Sequence, residues 1–358
     1  MIIASIPNPR SAIMIALMLL IAFTTAAVAA DNSQTTAPAE SLSKADMLAL
    51  KKQYQRPKNI PYPDDNPFSE AKAELGKSLF FDPRLSRSGV TSCATCHNPS
   101  LSWGDGNPRG VGFQHQQLDR KDPTTLNLAW DDLFFWDGRS NGLEAQATVP
   151  IQSVKEMNMP LDELTARLKS IHHYAPPFKA AFPNDPEPIT SKNLSMAIAT
   201  FERGIVSGPA PFDRWINGDE KAISRSARRG FVLFNKKANC AACHSGWRFS
   251  DGSFHDTGTD DPDIGRGKQL PNMLMMQHAF KTMGLRDIDR RGPYMHNGSL
   301  PTLMDVINHY DHGFIKRDSL AEEIKPLSLT EEEKTDLVEF LKTLTSEDAP
   351  TTLPTLPR

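Results

Sequence analysis

The chain has 358 residues and a formal net charge of −3, from 40 Lys and Arg against 43 Asp and Glu. That near-neutral balance, without a basic stripe, argues against a nucleic-acid partner, and the length is enough for two domains. Only four cysteines are present, all within two short motifs, so no thiol remains for a structural disulfide.

At the N-terminus, Arg10 gives a weakly basic start, Ser11 to Ala22 is almost wholly apolar, and small residues run to Ala27-Val28-Ala29-Ala30 ahead of Asp31. The pattern reads as a secretory signal peptide over residues 1–30. The other reading is an uncleaved anchor, for which the apolar core is short. Residues 31–60 are polar and read as a leader before the packed body, with a short helix over Lys44–Lys52. Pro61-Tyr62-Pro63 opens a first domain, 61–215. Within it Ser69–Phe80, Leu161–Ser170 and Ser191–Ile205 have helical apolar spacing, and Ser191 is placed as an N-cap. A second domain, 216–347, begins near the junction at Gly208–Ser224. It holds a helix over Ala222–Phe234 and another over Glu331–Leu344, where Thr330 and Glu333 form a capping box. Residues 348–358 read as a disordered tail.

Each domain carries one C-x-x-C-H: Cys93-Ala94-Thr95-Cys96-His97, and 147 residues on, Cys240-Ala241-Ala242-Cys243-His244. This is the attachment signature of a c-type haem, with two thioether bonds to the porphyrin and the His as iron ligand. A zinc knuckle or a thioredoxin-like pair would also use C-x-x-C, but no further Cys or His follows at zinc spacing in either place. Two covalent haem c groups and an export signal agree on the periplasm, with no membrane span after cleavage. The expected fold is mainly α, with two cytochrome c-like haem domains packed together. Phe135-Trp136-Asp137-Gly138-Arg139 lies beyond the first motif; by itself it reads as a buried aromatic before a turn.

This segment, together with Leu143-Glu144-Ala145-Gln146-Ala147, Glu156-Met157 and Arg291-Gly292-Pro293-Tyr294-Met295-His296-Asn297-Gly298-Ser299, resembles the bacterial di-haem cytochrome c peroxidase and MauG superfamily. The resemblance covers nearly all of the chain after residue 60. It implies that Trp136 relays electrons between the haems, and that Gln146, Pro150 and Glu156 stand over the first, peroxide-binding haem. Glu156 is then the acid/base in cleaving H2O2; read from composition alone it is a solvated charge.

The resemblance also bears on the second iron. Tyr310 falls where classical di-haem peroxidases have a Met ligand and the MauG-like branch has Tyr. A phenolate is hard and anionic and favours high oxidation states, which suits the bis-Fe(IV) state of that branch. If Tyr310 is instead a core aromatic, the ligand comes from His309, His312, Met295 or Met304. In many classical peroxidases a loop His blocks the first iron. His115 is the only histidine in the corresponding loop, Trp103–Asp122, and the glycines there suggest freedom to move; the first iron is expected to be open. The family also binds Ca2+ between the haems. Here the two steps that would supply its ligands read Lys121-Asp122-Pro123 and Arg291-Gly292-Pro293, so a cationic side chain, paired with Asp122, is expected where the ion would sit. His255 and His278 read as structural, and Met273, Met275 and Met276 as packing against porphyrin.

Three functions follow: H2O2-driven oxidation of residues, such as Trp, of a partner protein; H2O2 detoxification fed by a small cytochrome c or cupredoxin; or electron carriage without catalysis.

Overall fold

The computed structural model describes residues 42–347 and 351–357; the expected signal peptide and the first part of the leader, 31–41, lie outside the described residues. From Leu42 onward the chain forms one compact unit. It is mainly α-helical: α1 (Lys44–Gln53), α2 (Glu70–Phe81), the single turn α3 (Cys93–Cys96), α4 (Leu143–Gln152), α5 (Leu161–Ser170), α6 (Ala175–Ala181), α7 (Ser191–Arg203), α8 (Pro211–Ile216), α9 (Arg225–Asn235), α10 (Leu303–Asn308) and α11 (Glu331–Lys342). Two short antiparallel ladders join β1 (Leu133–Phe134) to β2 (Ser140–Asn141) and β3 (Phe254–His255) to β4 (Phe280–Lys281).

Two helix crossings organise the core. α2 packs on α7 and α9 on α11, each through a glycine. A Cβ at Gly76 would stand 1.9 Å from the Ala197 carbonyl oxygen, and one at Gly230 1.9 Å from that of Asp336. Only a residue without a side chain lets the backbones approach so closely. The first crossing sits in a cluster containing Leu75, Leu79, Phe80, Leu194 and Ile198; the second in one containing Phe231, Phe234, Leu337, Phe340 and Leu341. The helices match the apolar periodicity with shifts at the ends. Thr190, rather than Ser191, caps α7, its hydroxyl accepting the Asn193 N–H. The Thr330–Glu333 capping box of α11 is present.

The leader is not wholly outside the packed body. Met47 and Leu50 of α1 face the second cluster, and Tyr54, 1 % exposed, is buried within it. Phe212 and Trp215 of α8 join the same cluster, so the second core begins before residue 216. In the tail, the Pro357 carbonyl accepts a hydrogen bond from Arg84 at 2.7 Å.

Candidate active site

The first C-x-x-C-H forms one helical turn, its entry held by the Ser92 N–H donating to Thr95 Oγ1 at 3.0 Å. Cys93, Cys96 and His97 line a cavity, and so do Gln146, Pro150 and Glu156. The last three arrive together because of how α4 ends. Pro150 lies in its last turns, and the chain then folds back, with the Met157 N–H donating to the Pro150 carbonyl (3.2 Å) and the Met159 N–H to that of Ile151 (2.8 Å). This return satisfies carbonyls that a helix end leaves open and places Glu156 beside Gln146. Burial pushes the Glu156 carboxyl above its ordinary range, opposed by a hydrogen bond with Ser153 and by the Arg139 charge.

Gln146 Oε1, Asp122 Oδ2 and Glu202 Oε2 are buried without a protein partner, and their residues all line this cavity. Burial raises Glu202 to about 8, and burial together with the Asp105 charge raises Asp122 to about 7. The sequence does not point to Glu202, and it points to Asp122 only as the partner expected for a cationic side chain. A Glu in the last turn of a helix carries no signal of its own, and only the fold turns it inward.

His115 is exposed and does not line the first cavity. Its loop is tied down: the Phe113 N–H donates to the Lys155 carbonyl at 2.8 Å, and a Cβ at Gly112 would lie 1.9 Å from that oxygen. Gly112 thus serves a close approach to the Glu156 segment, which corrects the expectation of a freely moving loop.

The second motif starts from Asn239 in the left-handed region (φ 50°) and forms a 3-10 turn. Cys240, Cys243, His244 and Tyr310 line a larger cavity. The Phe249 carbonyl is 2.9 Å from His244 Nδ1, which as the N–H donor leaves Nε2 free for iron. Burial lowers the pKa of both His97 and His244, so each is the neutral imidazole that a metal needs. Tyr310 sits in a π-type turn, 309–313, directly after α10. Burial raises its phenol, so a cation is required to draw off its proton.

Of the other residues considered for the second iron, His309 is held at Nε2 by the Thr257 carbonyl (2.8 Å), and the His312 side chain is 68 % exposed beside Asp311. Met304 does not line the cavity; Met295 does. Met273 and Met275, 49 % and 46 % exposed, do not line it either, nor does Met276. This corrects the expected packing of all three against porphyrin: a short 3-10 turn at Leu274–Met276 carries them on an outer loop. His278 Nδ1 lies 3.1 Å from the Asp263 carbonyl. His255 pairs with Asp251 at 2.7 Å on the rim of the second cavity.

Trp136 tips the hairpin between β1 and β2. It lines the second cavity, and its indole N–H donates to the Lys121 carbonyl at 2.8 Å. Asp122, the next residue, lines both cavities. The two positions implied for calcium do not suit that ion. Lys121 presents an ammonium, and the guanidinium of the half-buried Arg291 donates to the Gly284 carbonyl, whereas Ca2+ takes six to eight oxygens. Lys121 does not pair with Asp122 as expected. Its ammonium donates to the Asn107 carbonyl (2.9 Å) and lies 3.9 Å from Asp105, because the Asp122 carboxyl turns toward Cys96.

A sequence profile described as di-haem cytochrome c peroxidase matches residues 70–221. The methylamine utilization protein MauG of Methylorubrum extorquens is 53 % identical over 92 % of this chain and 94 % of its own length. The chain belongs to the di-haem cytochrome c peroxidase and MauG family. It is a haem-dependent oxidoreductase, and membership brings two haem groups. The cytochrome-c peroxidase IdrP1 of Denitromonas iodatirespirans is 36 % identical, covering 80 % of this chain and 84 % of that one. Among solved structures, a MauG-like protein associated with microbial copper homeostasis superposes with a TM-score of 0.76 at 31 % identity, over 82 % of this chain and 95 % of the other.

Proposed function

We propose that this enzyme uses H2O2 to oxidise residues of a partner protein by long-range electron transfer, in the manner of the MauG-like branch, and that it works in the periplasm. The observation that carries the reading is Tyr310 in one cavity with His244, while His309 and His312 are engaged elsewhere. The 53 % identity to a MauG protein supports the same choice. No helix among the described residues is long and apolar enough to cross a membrane.

Cys93 and Cys96 would hold the first haem with His97 as iron ligand; Cys240 and Cys243 would hold the second, with His244 and Tyr310. These groups supply two-electron reduction of peroxide at one centre and one-electron storage at the other. Glu156 accepts the proton of one peroxide oxygen and returns it to the other, which leaves as water. A carboxyl raised by burial suits that exchange, since it gains and loses a proton more evenly near neutral pH than an exposed one. Gln146 contributes an amide to the same cavity, and Pro150 shapes its wall without offering an N–H. Trp136, between the Lys121 carbonyl and the second cavity, carries the oxidising equivalent across; an indole supports a cation radical. The partner is oxidised at the protein surface, so no substrate pocket is needed.

One observation favours a second reading, detoxification with electrons from a small cytochrome c or cupredoxin. Met295 also lines the second cavity, and a thioether ligand would raise that haem's potential. Addition of H2O2 to the diferric protein separates the two. Rapid loss of both ferric EPR signals with a near-infrared charge-resonance band supports the first. Absence of reaction until one haem is reduced supports the second.

A further inference from the structure

Every polar group of Lys121 is used, and its partners lie in three distant parts of the chain. The backbone N–H donates to the His296 carbonyl at 2.8 Å, and the carbonyl accepts the Trp136 indole N–H at 2.8 Å. The ammonium, on a residue 9 % exposed, donates to the Asn107 carbonyl at 2.9 Å, with the Asp105 carboxylate at 3.9 Å. One residue thus ties the loop after the first haem motif to the relay indole and to the segment lining the second cavity. A charge placed there has a purpose. Asp105 and Asp122 are two carboxylates held away from water, and the Asp105 charge disfavours ionisation of Asp122. A buried ammonium is tolerated only where such partners compensate its lost hydration.

We propose that Lys121 is the resident cation of this junction, a tethered charge in place of the calcium ion implied by the family, and that it is the positioning residue for Trp136. The first half stands on the donor set alone; the second rests on the relay reading of Trp136. An ammonium on the chain needs no free metal, so the junction keeps its geometry whatever the calcium supply. It also fixes the indole through the same residue's carbonyl.

The test uses the two-haem holoenzyme. Metal analysis of the wild type is expected to find no calcium above background, and EGTA to leave its haem absorption and EPR spectra unchanged. Lys121→Met is expected to slow transfer between the haems by about tenfold or more, since small displacements of a positioned group cost that much, and added calcium does not restore it. Lys121→Asn, which sets an oxygen donor beside Asp105 and the Asn107 carbonyl, is expected to regain transfer in millimolar calcium and to lose it again with EGTA. One tightly held calcium per wild-type chain, or EGTA-sensitive wild-type spectra, overturns the proposal even if neither variant folds. Trp136→Phe is run alongside: if transfer is unchanged there, the relay reading fails while the metal count still judges the cation.

Discussion

The half of the molecule around Cys93 and the half around Cys240 repeat one packing device and then part company. In each, a helix ahead of the motif crosses a later helix through a glycine with no room for a methyl: Gly76 on Ala197, Gly230 on Asp336. What faces the motif differs. The first cavity is small and carries Gln146, Glu156, Glu202 and Asp122, three of them with unpartnered oxygens. The second is larger, and Tyr310 stands in it among mostly apolar neighbours such as Phe234, Leu303, Val306 and Leu341. A common scaffold for holding the motif is thus separable from the groups that face it, carboxyl and amide on one side, phenol and apolar side chains on the other.

That contrast can be broken most sharply at Glu156. Glu156→Gln keeps the shape and removes the base, and the peroxide reaction should slow by about 10²- to 10⁴-fold in stopped-flow measurements. Because burial raises the Glu156 carboxyl, the wild-type rate should climb with pH through a value above the ordinary 4.5, and the variant's should not. A wild-type rate in the variant would remove the proton-handling side of the contrast. Tyr310→Met attacks the other side. Exchange of phenolate for thioether should raise the second haem's potential and abolish reaction of the diferric protein with H2O2, read by potentiometry and EPR. Unchanged spectra would mean that another residue, Met295 first, is the ligand.

Smaller effects sharpen the common scaffold. Gly76→Ala and Gly230→Ala should each destabilise by about 1–3 kcal/mol or more through overpacking, despite alanine's better helix propensity. Similar losses at the two sites in thermal unfolding would show the crossings to be equivalent. Gly112→Ala, whose methyl would meet the Lys155 carbonyl, should displace the Glu156 segment and lower the peroxide rate by about tenfold, with little change in Tm. A pH-dependent expectation concerns Glu202. Its pKa is raised from 4.5 to about 8, so the folded state holds the proton more tightly than the unfolded chain. The associated stability is present at acid pH and is lost as the pH rises through about 8, with a slope on the order of 1 kcal/mol per unit. Glu202→Gln should flatten that slope in Tm measured against pH.

Much of this was legible in the chain. The two C-x-x-C-H motifs, the periodicity of α2, α5, α7, α9 and α11, and the Thr330 capping box are local patterns, and local patterns survive reading one residue at a time. Trp136, Gln146, Pro150, Glu156 and Tyr310 were assigned by their order along the chain, through resemblance rather than chemistry. Helices such as α6 and α8 were not found, because each is shorter than the period needed to recognise an amphipathic face.

The sequence by itself determined the two C-x-x-C-H motifs and the helices that lead into them, since motif spacing and helical periodicity depend on near neighbours. The tertiary structure alone decided that Lys121 meets Asn107 and Asp105 rather than Asp122, that Glu202 turns into the first cavity, and that Gly112 presses on Lys155. Those contacts join residues far apart in the chain, and their energies come from burial and close approach, which exist only once the chain has folded.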